Sequence, residues 1–433
     1  MEVGVLGLPI VVGILLIFSM CGVHADVIKP ALLDIEVSDG ASLQKTMDMH
    51  EHAILRISEP TTLHCSVLES VVHGEVSQHA LLIPPTVKLN LNGSTLVLDL
   101  RSNSHGVRLS SHSSIRNGTI RVVRSEGKGS QAIWHSAISV GAPYDDGGTP
   151  EKPSYFSRVT NWTIEDITID QQVEASAIQL MSEACFGVIR RVRILDSPKA
   201  LVGIGLDWGS VGKMTTADDQ IPRMRELWEK GEIYSTHPHD ILIEDIQVGH
   251  LTRNVDGNDA GVRCSACYNI SIWNVRVASA ATAVAIFGGD CGFEFAPVSL
   301  RPLAHTGYEI ISVTIDTAYR YGIVLNGLAD NVYRSSENHG YETLIDTAHP
   351  GLNRVVVRDC RLNGGGTPKN QGIFITAVTD AQVWDVVVEG FGMGARIKNW
   401  VNGLRFVNCD LDRNDEPYTI LSVIEAPRNL VFE

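Results

Sequence analysis

Two short segments carry residue types that could do chemistry. In Val202-Gly-Ile-Gly-Leu-Asp207 and Gly261-Val-Arg263-Cys-Ser265, apolar residues alternate with small or polar ones, the signature of a strand with one buried face. Asp207 and Arg263 fall on the outward parity. If the two strands are neighbours, carboxylate and guanidinium stand about 4.8 Å apart by strand spacing. Asp256 and Asp259 lie in the turn before Arg263, and Asp290 in the turn after the next strand. The long segment between the two strands contributes Lys213, His237 and His239. A carboxylate group with an arginine in an open groove suits abstraction of a proton beside a carboxylate. A cation or cationic side chain stabilises the enolate while a base removes the proton. Asp207, Asp256 and Asp259 are in addition a candidate ligand set for Ca2+. The same carboxylates would serve as acid and base of a hydrolase, or form an ion pair on exposed rungs that contributes little stability.

A second polar set stands in Gly394-Ala-Arg396-Ile-Lys398-Asn-Trp400, where Arg396 and Lys398 share the outward face of a strand and suit recognition of a carboxylate. Trp208 and Trp400 each follow an outward strand and offer a flat ring to a ligand. Cys264-Ser-Ala-Cys267 has the spacing of a redox or zinc pair, but no second pair accompanies it and Cys264 falls on the inward parity. The cysteines are expected as free, mostly buried thiols.

What must position these residues is a repeat. Residues 162–169, 187–194, 241–248, 270–277, 310–315, 355–362, 383–388 and 404–411 follow one template, a short strand, a two-residue bend and another short strand. A third strand of alternating character follows each, as in 177–180, 202–206, 261–264, 283–286, 322–325, 372–375 and 394–397. Three strands per turn, with about 22 to 28 residues between uninterrupted copies, make one coil of a parallel β-helix. One inward ladder runs Ile167, Val192, Ile246, Val275, Val313, Cys360, Val386, Cys409. Asp166, Asp245, Asn274, Asp359, Asp385 and Asn408 recur at the bend, where a short polar side chain tolerates left-handed backbone. The expected class is all-β, a single right-handed parallel β-helix over residues 85–433. Residues 26–84 are expected to supply first strands and an N-terminal capping helix over Ser42–Ala53. Long insertions at 210–239, 288–307 and 328–352 all follow third strands, so they should wall one face.

With 433 residues, 44% of them hydrophobic, the chain can bury a large core, and a solenoid accommodates a length beyond one compact domain. Its net charge of −15 and the lack of any Lys/Arg cluster exclude a nucleic-acid partner. Val3 to Phe18 is apolar and Val23-His24-Ala25 offers a cleavage site, so residues 1–25 are expected as a signal peptide, with an uncleaved anchor as the alternative, and the mature chain as secreted or periplasmic, with no membrane association after cleavage.

The repeat resembles the pectin-lyase-like superfamily of right-handed parallel β-helix proteins over roughly residues 35 to 433. The resemblance implies a polysaccharide partner and a substrate groove floored by the third strands. A lyase acting on a uronate-containing polysaccharide is the leading expectation, with a glycoside hydrolase, a uronate epimerase or a noncatalytic glycan-binding protein as alternatives. Arg396-Ile-Lys398 resembles the Arg-Ile-Lys element of polygalacturonases, but the positions of that family's paired aspartates carry Phe374, Val324 and Ala285 here. Pro238-His239-Asp240 echoes a short motif of alginate epimerases. Residues Arg428–Glu433 read as the first strand of another coil, so either a homo-oligomer formed through the C-terminal coil or closure by an irregular inserted loop is expected.

Overall fold

The structure is a computed structural model that describes residues 31–72, 75–100, 105–124, 136–141, 158–171, 173–181, 183–197, 199–200, 202–207, 237–251, 259–265, 267–288, 306–327, 351–421 and 426–433. Its strands join into one 28-stranded sheet that winds into successive three-strand coils, a right-handed parallel β-helix. Each strand pairs in parallel with its counterpart one coil away. Ile164, Ile189, Ile243, Ile272, Ile310, Val357 and Val383 follow one another in register down one wall. The hairpin of Leu68–Val72 with Glu75–Ile83 is antiparallel and departs from that rule.

The inward ladder is buried from Ile167 to Val386, with Cys360 fully enclosed. Cys409 is half-buried. It packs on the core, but the next strand, Val431–Phe432, pairs with Arg405 and Phe406 and does not reach its rung. All six bend residues have positive φ, as do Arg191 and Ser312 at equivalent bends, where the sequence gives no short amide or carboxylate to announce them. The bend side chains link coil to coil: Asn274 Nδ2 donates to Asp245 Oδ1 at 2.6 Å and Arg191 Nε to Asp166 Oδ1 at 2.7 Å.

A stripe of small residues fixes where each third strand begins. Gly106, Ala137, Ala177, Gly203, Gly261, Ala283, Gly322, Gly372 and Gly394 occupy equivalent positions. A Cβ at Gly203 would lie 2.5 Å from the Gly261 carbonyl oxygen, and one at Gly322 would lie 2.5 Å from that of Gly372. At these two glycines even a methyl is excluded, because backbone of the next coil fills the space.

The helix runs Gly40–Asp48, shorter than the sequence suggests. Asp39 and Ser42 form a reciprocal capping box at its start, and Leu43 and Met47 enter the core. Residues 53–57 leave it because Ala53-Ile-Leu-Arg-Ile57 alternates at period two and is claimed by parallel partners on both sides, Ala31–Ile35 and Lys88–Asn90. The coils therefore begin upstream of residue 85. No described helix is long and apolar enough to cross a membrane. The six described cysteines are free, and Cys264 and Cys267 are both buried in the core.

Candidate functional site

The third strands stack into one face, and their register defines three outward columns. The central one reads Leu82, Arg108, Ser139, Gln179, Gly205, Arg263, Ala285, Val324, Phe374, Arg396, Thr419. A column on the entry side begins His79, His105, Ser136, Ser176 and continues through Ala260, Thr282, Tyr321 and Gln371 to Met393 and Glu416. On the exit side stand Met181, Asp207, Ser265, Phe287, Asn326 and Thr376. The central column is thus polar from Arg108 to Arg263 apart from Gly205, apolar from Ala285 to Phe374, and cationic at Arg396, with Lys398 next to it on the exit side.

The structure brings Asp207 and Arg263 together as their parity requires. Arg263 Nη2 lies 3.6 Å from Asp207 Oδ2, with side chains 13% and 4% exposed. The expectation of an exposed pair is corrected: these groups face outward yet are nearly withdrawn from water, as are Arg108, Ser139 and Gln179. Gly205 lets Gln179 lie across it, since a Cβ there would meet Gln179 Oε1 at 2.4 Å. On the entry side His105 Nδ1 is 3.0 Å from Ser136 Oγ. Burial, reinforced by the Arg108 charge, holds His79 well below the usual imidazole range, at about 4, so it is neutral at pH 7. Ser139 Oγ, Arg263 Nε, Gln371 Oε1 and Arg396 Nε are buried polar atoms with no hydrogen-bond partner in the structure, and all four belong to this face.

The sequence reading missed His79, His105 and Arg108. The signal was present: Gly106-Val-Arg108 repeats Gly261-Val-Arg263, and the two arginines share one column.

No family model matches the chain, and no curated protein does. Solved structures align with it along most of its length. The A-module of the mannuronan C-5 epimerase AlgE4 of Azotobacter vinelandii covers 91% of this chain and 98% of its own, at 12% identity and TM-score 0.48. A tailspike protein of Acinetobacter baumannii bacteriophage Fri1, a capsular polysaccharide depolymerase, covers 92% of this chain and 63% of its own, at 9% identity and TM-score 0.45. The catalytic unit of a GH87 alpha-1,3-glucanase from Streptomyces thermodiastaticus covers 93% and 67%, at 11% identity and TM-score 0.38. The architecture shared with them is a parallel β-helix.

In this β-helix the other sequence-predicted residues scatter. Asp259 does not join Asp207. Val202 pairs with Ala260, so Asp259 stands at the entry edge and Asp207 at the exit edge, separated by six residues of strand, about 20 Å. One Ca2+ ion cannot take both as ligands, and no step is assigned to calcium. Asp256, Lys213, Trp208 and Asp290 lie outside the described residues. Arg396 and Lys398 stand together, four coils from Arg263, about 19 Å by strand spacing. Lys398 Nζ sits 5.6 Å from the Phe374 ring centre, and burial followed by the Arg396 charge lowers its pKa. Ala285 and Val324 pack with Phe287, Tyr321 and Phe374 into a small apolar cluster on the outer face. Trp400 sits in the turn beyond this strand at φ 56°, half-buried.

His237 and His239 are buried beyond the exit edge. His239 contacts Glu183 and Asp240, with Nε2 3.5 Å from Glu183 Oε1 and Nδ1 2.6 Å from Asp240 Oδ2. Burial opposes its charge, but hydrogen bonds with Asp240, Cys185 and Glu183 outweigh that and raise its pKa to about 10. Glu183, Cys185 and His239 are a group of potential metal ligands, which the sequence reading did not assemble.

Proposed function

We propose that this chain is a secreted, carbohydrate-active β-helix that holds a uronate-containing polysaccharide along the polar half of its groove and cleaves it by β-elimination. The observation that carries the reading is the buried, unpartnered Ser139 Oγ and Arg263 Nε in that half. Such atoms cost stability unless a ligand or water satisfies them, and a sugar chain, dense in hydroxyl and carboxylate oxygens, does so. Arg108 and Arg263 share a column on a chain of net charge −15, four coils and about 19 Å apart by strand spacing, so an extended acidic chain laid along the column meets a cation at both ends of this stretch. Their planar guanidinium groups match a carboxylate through two parallel hydrogen bonds.

In this reading Arg263 stabilises the charge that develops on the uronate carboxylate as the adjacent proton leaves, and Asp207 beside it is the base. A two-carboxylate hydrolase is disfavoured. Among the described residues of the three columns the carboxylates are Asp207 and Glu416, toward opposite ends of the face, where a hydrolase needs a pair flanking one bond. The extracytoplasmic location belongs to the same proposal and rests on residues 1–25, outside the described part.

The test is turnover of purified protein on a panel of uronate-containing and neutral polysaccharides, with and without chelator. Ultraviolet absorbance of unsaturated ends on a uronate polymer, absent in Arg263→Ala, supports the proposal. Reducing ends without absorbance assign a hydrolase, altered uronate configuration without scission an epimerase, and saturable binding alone a noncatalytic role.

A further inference from the structure

Beyond the exit edge of the groove, three side chains of different chemistry converge in the protein interior. Glu183 and Cys185 lie two residues apart on one strand and so project to the same side, opposite to Ala184, which enters the core. His239 is the register partner of Cys185 on the next coil. One oxygen of Glu183, the thiol sulfur of Cys185 and a ring nitrogen of His239 all lie within 4.8 Å of one another, and all three residues are buried. We propose that Glu183, Cys185 and His239 form a site for a borderline-soft divalent cation of the Zn2+ type, separate from the polysaccharide groove.

The donor set selects the ion. Thiolate and imidazole favour zinc over calcium or magnesium, and one carboxylate completes a three-ligand set that leaves a fourth tetrahedral position open. The surroundings orient it. Asp240 Oδ2 accepts from His239 Nδ1 at 2.6 Å, which directs Nε2 toward Glu183, the carboxylate-histidine-metal arrangement that fixes tautomer and ring angle. Tyr268 stacks on the imidazole at 4.6 Å with the planes 6° apart, and Phe186 meets it edge-on at 5.7 Å. Phe186 holds a positive-φ corner that neighbouring coils fill with Asn161, Asp240 and Asn269, so a large ring has been placed where small polar residues are the rule.

Arg158, with Nε 3.3 Å from Glu183 Oε1, is the competing cation. An ion binds His239 Nε2 and the Cys185 sulfur in their deprotonated forms, so protons pass to solvent as it binds.

The test is titration of the full chain, stripped with chelator, with Zn2+ and with Co2+. One ion per chain is expected, with a thiolate-to-cobalt charge-transfer band in the near ultraviolet. Cys185→Ser and His239→Ala should abolish the band and weaken Zn2+ at least about 100-fold, and Asp240→Asn should weaken it about 10- to 100-fold. The half-buried thiol of Cys409 is the control, and Cys409→Ser should leave affinity unchanged. Circular dichroism with the near-isosteric Cys185→Ser and Glu183→Gln separates lost binding from lost fold. Absence of one-to-one binding by the folded wild type, or binding indifferent to Cys185→Ser, overturns the site. Polysaccharide turnover is not a readout of this experiment, so its outcome is independent of the groove's function.

Discussion

The two halves of the groove face are built on the same strand, with the same inward ladder and the same stripe of small residues, yet present opposite chemistry. From Arg108 to Arg263 the outward positions carry guanidinium, hydroxyl, amide and carboxylate groups that are almost entirely buried. From Ala285 to Phe374 the central column carries aliphatic and aromatic groups, flanked by Asn326, Gln371 and Thr376 at the edges, with Tyr321 and Phe374 5.6 Å apart. Inward residues are constrained alike in both halves because each must fill the same core. Outward residues answer to no such constraint, so a run of buried polar groups on that side marks what the surface must recognise. Burying polar groups costs stability where apolar ones cost nothing, and the apolar half shows that the coil does not require them.

Removing Arg263 is the sharpest way to break the comparison. Arg263→Ala should lower turnover of a uronate polymer by about 100- to 1000-fold, measured as initial rate of absorbance. It should also destabilise the fold by about 3 kcal/mol in denaturant melts, because Asp207, 4% exposed, loses the guanidinium charge beside it. Activity within a few-fold of wild type would place the chemistry elsewhere, with the Arg396 and Lys398 end tested next.

The polar half should also give the protein its acid sensitivity. His79 has a native pKa of about 4 against 6.5 for the free side chain. Between those values the unfolded chain binds a proton that the native chain refuses. Stability therefore falls as pH drops through that window, by up to about 3 kcal/mol, and this group adds nothing above pH 7. Denaturant melts at pH 7 and pH 4.5 should show the loss in wild type and a reduced loss in His79→Gln. An equal loss in both would mean the burial of His79 carries no such cost.

The fold was legible because its signals are repeated. The Ile167-to-Val386 ladder and the positive-φ bends at Asp166, Asp245, Asn274, Asp359, Asp385 and Asn408 stand where the repeat puts them. The juxtaposition of Asp207 with Arg263 was legible for the same reason, since parity and register follow from period two. What was not legible depends on distance along the strand and on burial. Asp259 is near Arg263 in sequence but on the opposite edge of the face from Asp207. Arg108 and His105 were hidden because the first coils depart from the two-strand template, leaving only the short Gly-Val-Arg repeat to mark them. His239 was assigned to the groove on sequence position, whereas its register partner is Cys185, beyond the exit edge.

Smaller effects belong to the apolar half. Phe374→Ala should leave both KM and kcat on a uronate polymer within about a factor of two, because the polar half holds the ligand and uniform binding is not drawn from this ring. A fall in kcat with unchanged KM would extend the catalytic region into that half. Smallest is the effect of the C-terminal coil, where Tyr418, Ile420 and Phe432 remain exposed. Weak self-association there should appear as a concentration-dependent mass in light scattering that Phe432→Ser removes, and a monomer at all micromolar concentrations would refute it.

Hydrogen exchange with and without a saturating oligouronate tests most directly the claim that the polar half alone recognises the ligand. The expected result is slowed exchange at 136–140, 176–181, 202–207 and 260–265, with 321–326 and 371–376 little changed. Protection centred on 321–326 and 371–376, or none on any of these strands at saturation, would contradict it.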